Sequence, residues 1–307
     1  MLTDALQLAG QAANSNQSER LSWGVMEFQV IDLDRTVAFW TSALGLRVRD
    51  QDSSWVALGT RTQTMFVFRD GASVPVTAGY SGMYHVAIGV PDQHEFSRLL
   101  SRLMAMRVSV SPVDHLMSKA IYLNDPDGLE IEIAFETPER FGRFGDMSRG
   151  LVLYDAHGAA HSGRERLDVE SELAHASDAD LMAPLSDSAF LAHLHFKVPD
   201  LESTAAWFER IGFARNLMLP GFGFADMGAG AAYTHRLAMN VWTGKDLSPT
   251  PDTMARLTHY ELNIHDYSVI TDTHGLQPSE TGFKGRDPTG IDLSLNVNHL
   301  DTDGASQ

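Results

Sequence analysis

Thirteen histidines and no cysteine stand among the 307 residues, so any metal held by this chain must be held by imidazole and carboxylate. The same absence rules out disulfides and thiolate nucleophiles. Two histidines and one acid stand out by their setting. His85 opens the alternating stretch YHVAIGVPD, His193 opens HLHFKVPD, and Glu132 lies inside DPDGLEIEIAF. Two neutral imidazoles and one carboxylate on one face of a divalent metal leave positions open for other molecules, the ligand set of non-haem Fe(II) oxygenases. Glu130 and Glu132 share a strand face, and Glu132, one step further into the apolar run, is the preferred ligand. A lone histidine in a strand is more often a hydrogen-bonded core residue. Three such groups at equivalent places in a repeat argue otherwise, and a buried, unpaired Glu would cost several kcal/mol unless neutralised or ligated.

The elements that must position these residues form an internal repeat. FQVIDLDRTVAFW, from Phe28, matches FKVPDLESTAAWF, from Phe196. Each reads as a strand, an Asp and an amphipathic helix, the helix ending near Gly45 or Gly212. YHVAIGVPD resembles THYELNIHD from Thr258, and DPDGLEIEIAF resembles DPTGIDLSLNV from Asp287. Asp-Pro-x-Gly is a turn signal that feeds a strand. Four units emerge, near 22–70, 81–136, 190–243 and 255–298, each with the pattern βαβββ, which predicts an α+β fold. The expected division is an N-terminal domain of modules one and two (1–136), a crossing segment (137–189) with a short helix near LDVESELAHA, and a C-terminal domain of modules three and four (190–307). In module one Val25 takes the place of His193, which reads as scaffold, and Glu27 aligns with His195.

The formal charge of −17 and the lack of a Lys/Arg stripe argue against a nucleic-acid partner. No apolar run approaches the roughly 20 residues that span a bilayer. Asp4 stands where a signal peptide needs positive charge, so the expectation is a cytoplasmic protein, away from membranes, with a partly frayed lead-in. His157, His161 and His175 read as solvated, and Phe222, Phe224 and Trp242 read as core aromatics sooner than as pocket walls.

AHLHFKVPDLE, AYTHRLAMNVW, DHLMSKAIYLNDPDGLEIEI and MYHVAIGVPD together resemble the motifs of type I extradiol dioxygenases, the catechol 2,3-dioxygenase-like group of the vicinal oxygen chelate superfamily. The resemblance covers nearly the whole chain apart from the lead-in, the crossing segment and the last residues. It implies four βαβββ modules forming paired open barrels, an Fe(II) cofactor with Mn(II) as the alternative, a small aromatic diol and O2 as reactants, and a homo-oligomer. Carried over by motif, His193 is the first ligand, His235 the acid/base histidine, Tyr122 a tyrosine that bonds the substrate oxygen, and His115 a pocket residue. Better-known members hold iron between modules three and four, which here would use His193, His259 and a last-strand carboxylate. Ser294 stands at that last position, with Asp292 nearby on the same face. Pairing modules two and three instead gives the complete set His85, Glu132, His193, His235 and Tyr122, and is the preferred arrangement. A glyoxalase-like isomerase or lyase and a non-enzymatic protein that binds an aromatic metabolite are the competing readings.

Overall fold

The computed structural model describes residues 2–147, 150–244 and 247–297, so the end of the expected C-terminal domain, 298–307, lies outside the described residues. The molecule is mostly strand, in two large sheets that do not close on themselves. Modules one and four share an eight-stranded sheet, in which Leu21–Val30 pairs antiparallel with Arg256–Ile264. Modules two and three share a ten-stranded sheet, in which Tyr80–Gly89 pairs antiparallel with Phe190–Lys197. Each sheet therefore takes one module from either half of the chain.

Within every module the first strand pairs parallel with the last, as Leu21–Val30 does with Thr64–Asp70 and Tyr80–Gly89 with Glu130–Glu136. The helices Leu33–Leu44, Gln93–Ala105 and Leu201–Arg210 begin with Asp32, Asp92 and Asp200, whose side chains accept from the backbone N–H three residues on. Gly45 ends the first helix in the left-handed conformation, at φ 78°. Module four departs from the expected pattern. Its helix is replaced by the single 3-10 turn Tyr267–Val269, where Asp266 caps a segment rich in β-branched residues and too short for two helical turns.

The Asp-Pro-x-Gly turns close alike in both modules that carry them. Asp125 Oδ1 accepts from the N–H groups of Asp127 and Leu129, and Asp287 Oδ1 from those of Thr289 and Ile291. Gly128 and Gly290 take φ of 85° and 91°, which an L side chain resists.

Alternation along Phe190–Lys197 divides the two jobs of the sheet. Leu194 and Phe196 join the apolar core, where Phe196 meets Tyr260 of the other sheet at 6.0 Å between ring centroids. His193 and His195 face the opposite way, into a cavity.

Two segments are more ordered than the sequence predicts. The lead-in is the helix Leu2–Ala13, with Ala9 and Ala13 buried. The crossing segment forms a three-stranded sheet from Phe141–Phe144, Leu153–Asp155 and Ala160–His161, then the pair Glu165–Arg166 on the edge of the ten-stranded sheet and the helix Val169–Ala174. Strands this short leave no periodicity to read. His157 and His175 are exposed, but His161 is not: it packs beside Asp114, with 3.6 Å between Nε2 and Oδ1.

Candidate metal centre and its cavity

Strand register brings the three ligand candidates together. Ala87 is the Cα partner of Glu132 on one side and of His193 on the other, while His85 sits two residues along the same face. The methyl group of Ala87 leaves the space that three longer side chains fill above it. His85 Nε2 and His193 Nε2 each lie 3.1 Å from Glu132 Oε2, and 3.3 Å from each other. All three residues are buried.

Donors about 2.1 Å from a cation lie about 3.0 Å apart at right angles and about 3.4 Å apart in a tetrahedron. The observed separations of 3.1, 3.1 and 3.3 Å fall in that span. Two imidazoles and one carboxylate suit a first-row divalent metal, and among the described residues this is the one group of three or more such side chains whose donor atoms converge. Burial pushes the His193 imidazolium down to about 3, against the pull of Glu132, so the ring is neutral. Burial would raise the Glu132 carboxyl, but the imidazoles that face it, His193 first and then His85, outweigh this and hold it well below the usual carboxylate range. An ionised Glu132 and a neutral His193 are the protonation states in which these two groups bind a cation. Among the described residues the Nδ1 atoms of His85 and His193 find no hydrogen-bond partner, and Glu130 Oε1 stands 3.8 Å from His85 Nδ1.

His235 lies beside this group, its ring 4.7 Å from that of His193 and nearly perpendicular to it. Its Nδ1 is 3.0 Å from Asp226 Oδ2, and Asp226 is itself fixed by Asn216 Nδ2 and the Leu217 N–H. A carboxylate oxygen accepts, so Nδ1 donates there, and in the neutral ring the lone pair then falls on Nε2. Tyr122 is the cross-strand partner of Glu132, and its hydroxyl lies 3.0 Å from His115 Nε2. His115 Nδ1 is 2.7 Å from the carbonyl of Gly163. Since a carbonyl only accepts, Nδ1 donates there, and Nε2 accepts from Tyr122. Burial holds the His115 imidazolium below its ordinary value and the Tyr122 phenol well above its own, so both are neutral.

The alternative ligands are not assembled. His259 and Asp292 belong to the eight-stranded sheet, whereas His193 belongs to the ten-stranded one. His259 Nε2 meets Ser294 Oγ at 2.9 Å, and Asp292 accepts from Arg286 Nε at 2.8 Å. Glu27 accepts from Arg69.

A cavity of about 1080 Å³ opens over the three side chains. Its lining includes His85, Glu132, His193, His235, Tyr122 and His115, and the lining surface is more apolar than polar. Phe222, Phe224 and Trp242 line it, so these aromatics are pocket residues; Trp242 is 56% exposed. Phe144, Leu151 and Leu153, from the crossing segment, form another wall, which the Leu2–Ala13 helix backs.

Sequence reasoning missed several of the lining residues. His195 is buried in the cavity wall as the cross-strand partner of His85, with Nε2 2.9 Å from Asn240 Nδ2. Its parity with His193 was a usable signal. Asp226 gave none, because its partner His235 precedes the next strand.

Comparisons with known proteins agree with this architecture. Residues 24–133 match the family model of the Glyoxalase/Bleomycin resistance protein/Dioxygenase superfamily, so the chain carries a domain of that superfamily. A curated Catechol-2,3-dioxygenase from Bacillus subtilis (strain 168) is 26% identical over 277 residues, covering 86% of this chain and 93% of the relative. Two solved structures share the fold at low identity. The cppA protein of Streptococcus pneumoniae TIGR4 superposes with a TM-score of 0.52 at 15% identity, over 92% of this chain and 100% of that one. A glyoxalase I variant from Zea mays gives 0.53 at 14% identity, over 91% and 95%. Among the described residues no helix is long and apolar enough to cross a membrane.

Proposed function

We propose that this chain cleaves the ring of a vicinal aromatic diol with O2, using Fe(II) held by His85, Glu132 and His193. The observation that carries this reading is the convergence of those three donor atoms in the lining of a mainly apolar cavity, with an Asp226-oriented His235 alongside. The 26% identical relative named Catechol-2,3-dioxygenase supports it. When bound, a divalent cation in such a site acidifies a diol's adjacent oxygens and leaves room for O2 next to them.

The chain's own residues do the rest. His235 takes a diol proton on Nε2, because Nδ1 is committed to Asp226, whose charge steadies the imidazolium so formed. Tyr122, whose proton points to His115, has lone pairs left to accept a hydrogen bond from the second hydroxyl. Phe224 and Trp242 flank the ring, and the apolar walls keep bulk water from it. In the net reaction the carbon–carbon bond beside the diol breaks and each new end gains one atom of O2, one as an aldehyde and the other as a carboxylic acid.

The test is anaerobic loading with Fe(II), then exposure to catechol and air while following O2 uptake and a yellow ring-opened product. No turnover across a panel of catechols and hydroquinones overturns the dioxygenase reading. Metal retained without O2 uptake would point to a glyoxalase-like reaction, and ligand binding unaffected by His193→Ala would point to a binding protein.

A further inference from the structure

Among the described residues lining the cavity, Arg164 is the one Lys or Arg. Its guanidinium carbon stands 5.4 Å from the ring centroid of Tyr122, whose own centroid is 5.4 Å from that of His85. One aromatic ring thus separates this cation from the metal-ligand candidates. Of the other basic groups nearby, Lys197 lies outside the cavity lining and is drawn to Glu130 by charge, and three are paired. Arg140 is paired with Asp114, Lys119 with Glu172, and Arg236 with Glu136 and Glu19. Arg164 makes no ion pair among the described residues.

Its position is fixed by the backbone on both sides. The carbonyl of Gly163 binds His115 Nδ1, and Glu165 and Arg166 pair with Asp114 and Val113 on the edge of the ten-stranded sheet. The guanidinium therefore starts from an anchored turn. The acidic groups facing the same cavity are Glu130, Glu132 and Asp226. Glu132 is held by the two histidines, and Asp226 by His235, Asn216 and Leu217. Glu130 is the remaining carboxylate on that side, 3.8 Å from His85; burial raises its carboxyl, against which Lys197 and, less, Arg164 favour the charge.

A cavity with those acids, in a chain of net charge −17, repels an anion unless a cation is set there to receive it. We infer that Arg164 receives a carboxylate carried on a short arm of the substrate, making the preferred substrate an acidic aromatic diol. The inference rests on the ring-cleavage reading only for the diol, and on Arg164 for the acid. Arginine meets a carboxylate through two parallel N–H donors, so the pair selects geometry as well as charge. The cavity, about 1080 Å³, has room for the extra arm beyond the ring.

Binding tests this separately from turnover. Calorimetry without O2, on the metal-loaded chain, compares 3,4-dihydroxyphenylacetate with its uncharged primary amide. The expected result is that the acid binds at least about 10-fold tighter, as a charge-assisted pair should. Arg164→Gln brings the two affinities together by weakening the acid alone, and Arg164→Lys keeps part of the preference. Equal affinities in the unaltered chain, a preference that survives Arg164→Gln, or an equal loss for acid and amide would each overturn the assignment. A chain that prefers the acid but opens neither ring contradicts the dioxygenase reading and leaves Arg164 in place; one that opens both rings without preference does the reverse.

Discussion

His235 is held by one hydrogen bond that decides what it can do. With Nδ1 tied to Asp226, Nε2 is the nitrogen left for substrate, on a ring whose centroid is 4.7 Å from that of His193. Neither residue has to contribute to metal retention, so proton handling separates from metal binding. His235→Gln is expected to retain its metal and to lose roughly 10²- to 10⁴-fold in ring-cleavage rate. Metal content and turnover on one preparation check this; a variant that also loses its metal would place His235 among the ligands. Tyr122 and His115 make a second fixed pair, in which the Gly163 carbonyl sets the tautomer of His115 and hence the direction of the tyrosine proton.

The crossing segment shows how far element-scale structure can lie from sequence pattern. It supplies Phe144, Leu151, Leu153 and Arg164 to the cavity, and it is fastened to module two through Glu172. That buried carboxylate receives Lys119, Gln93 and Ser97. Removing it leaves Lys119, whose side chain is 15% exposed, without its counter-charge. Glu172→Ala is expected to cost about 3 kcal/mol of unfolding free energy, read from urea denaturation. A loss below roughly 0.5 kcal/mol would mean that Lys119 finds water instead.

Residues carried by long alternating strands were legible from sequence. His85, Glu132 and His193 stand out because period-two patterning and the Asp-Pro-x-Gly turn place them at matching points of the repeat. Partners set by tertiary contact were not legible. Asp226, the Gly163 carbonyl and Arg164 reach the cavity through turns and strands of two to five residues, which carry no period. Module four misled for a related reason. Its repeat signals predicted a helix that a run of β-branched residues after Asp266 does not form.

At the scale of the molecule, strand pairing links modules that are distant in sequence. Tyr80–Gly89 finds its partner in Phe190–Lys197, and Leu21–Val30 finds its partner in Arg256–Ile264. A fragment of residues 1–136 would leave both first strands with an open edge. Exposed edges of this kind pair with other chains. The fragment is expected to aggregate or self-associate in size-exclusion chromatography, and co-expression with 137–307 to restore a soluble complex. A well-folded monomeric fragment would show that the halves are independent.

The pairing of modules two and three is also what gathers the ligand candidates, and leaves His259 with Ser294 in the other sheet. The most direct measurement is the iron content of two variants, loaded anaerobically with Fe(II), desalted and analysed by mass spectrometry. Glu132→Ala is expected to lose its iron while His259→Ala stays fully loaded. Iron retained by Glu132→Ala and lost from His259→Ala would contradict this assignment.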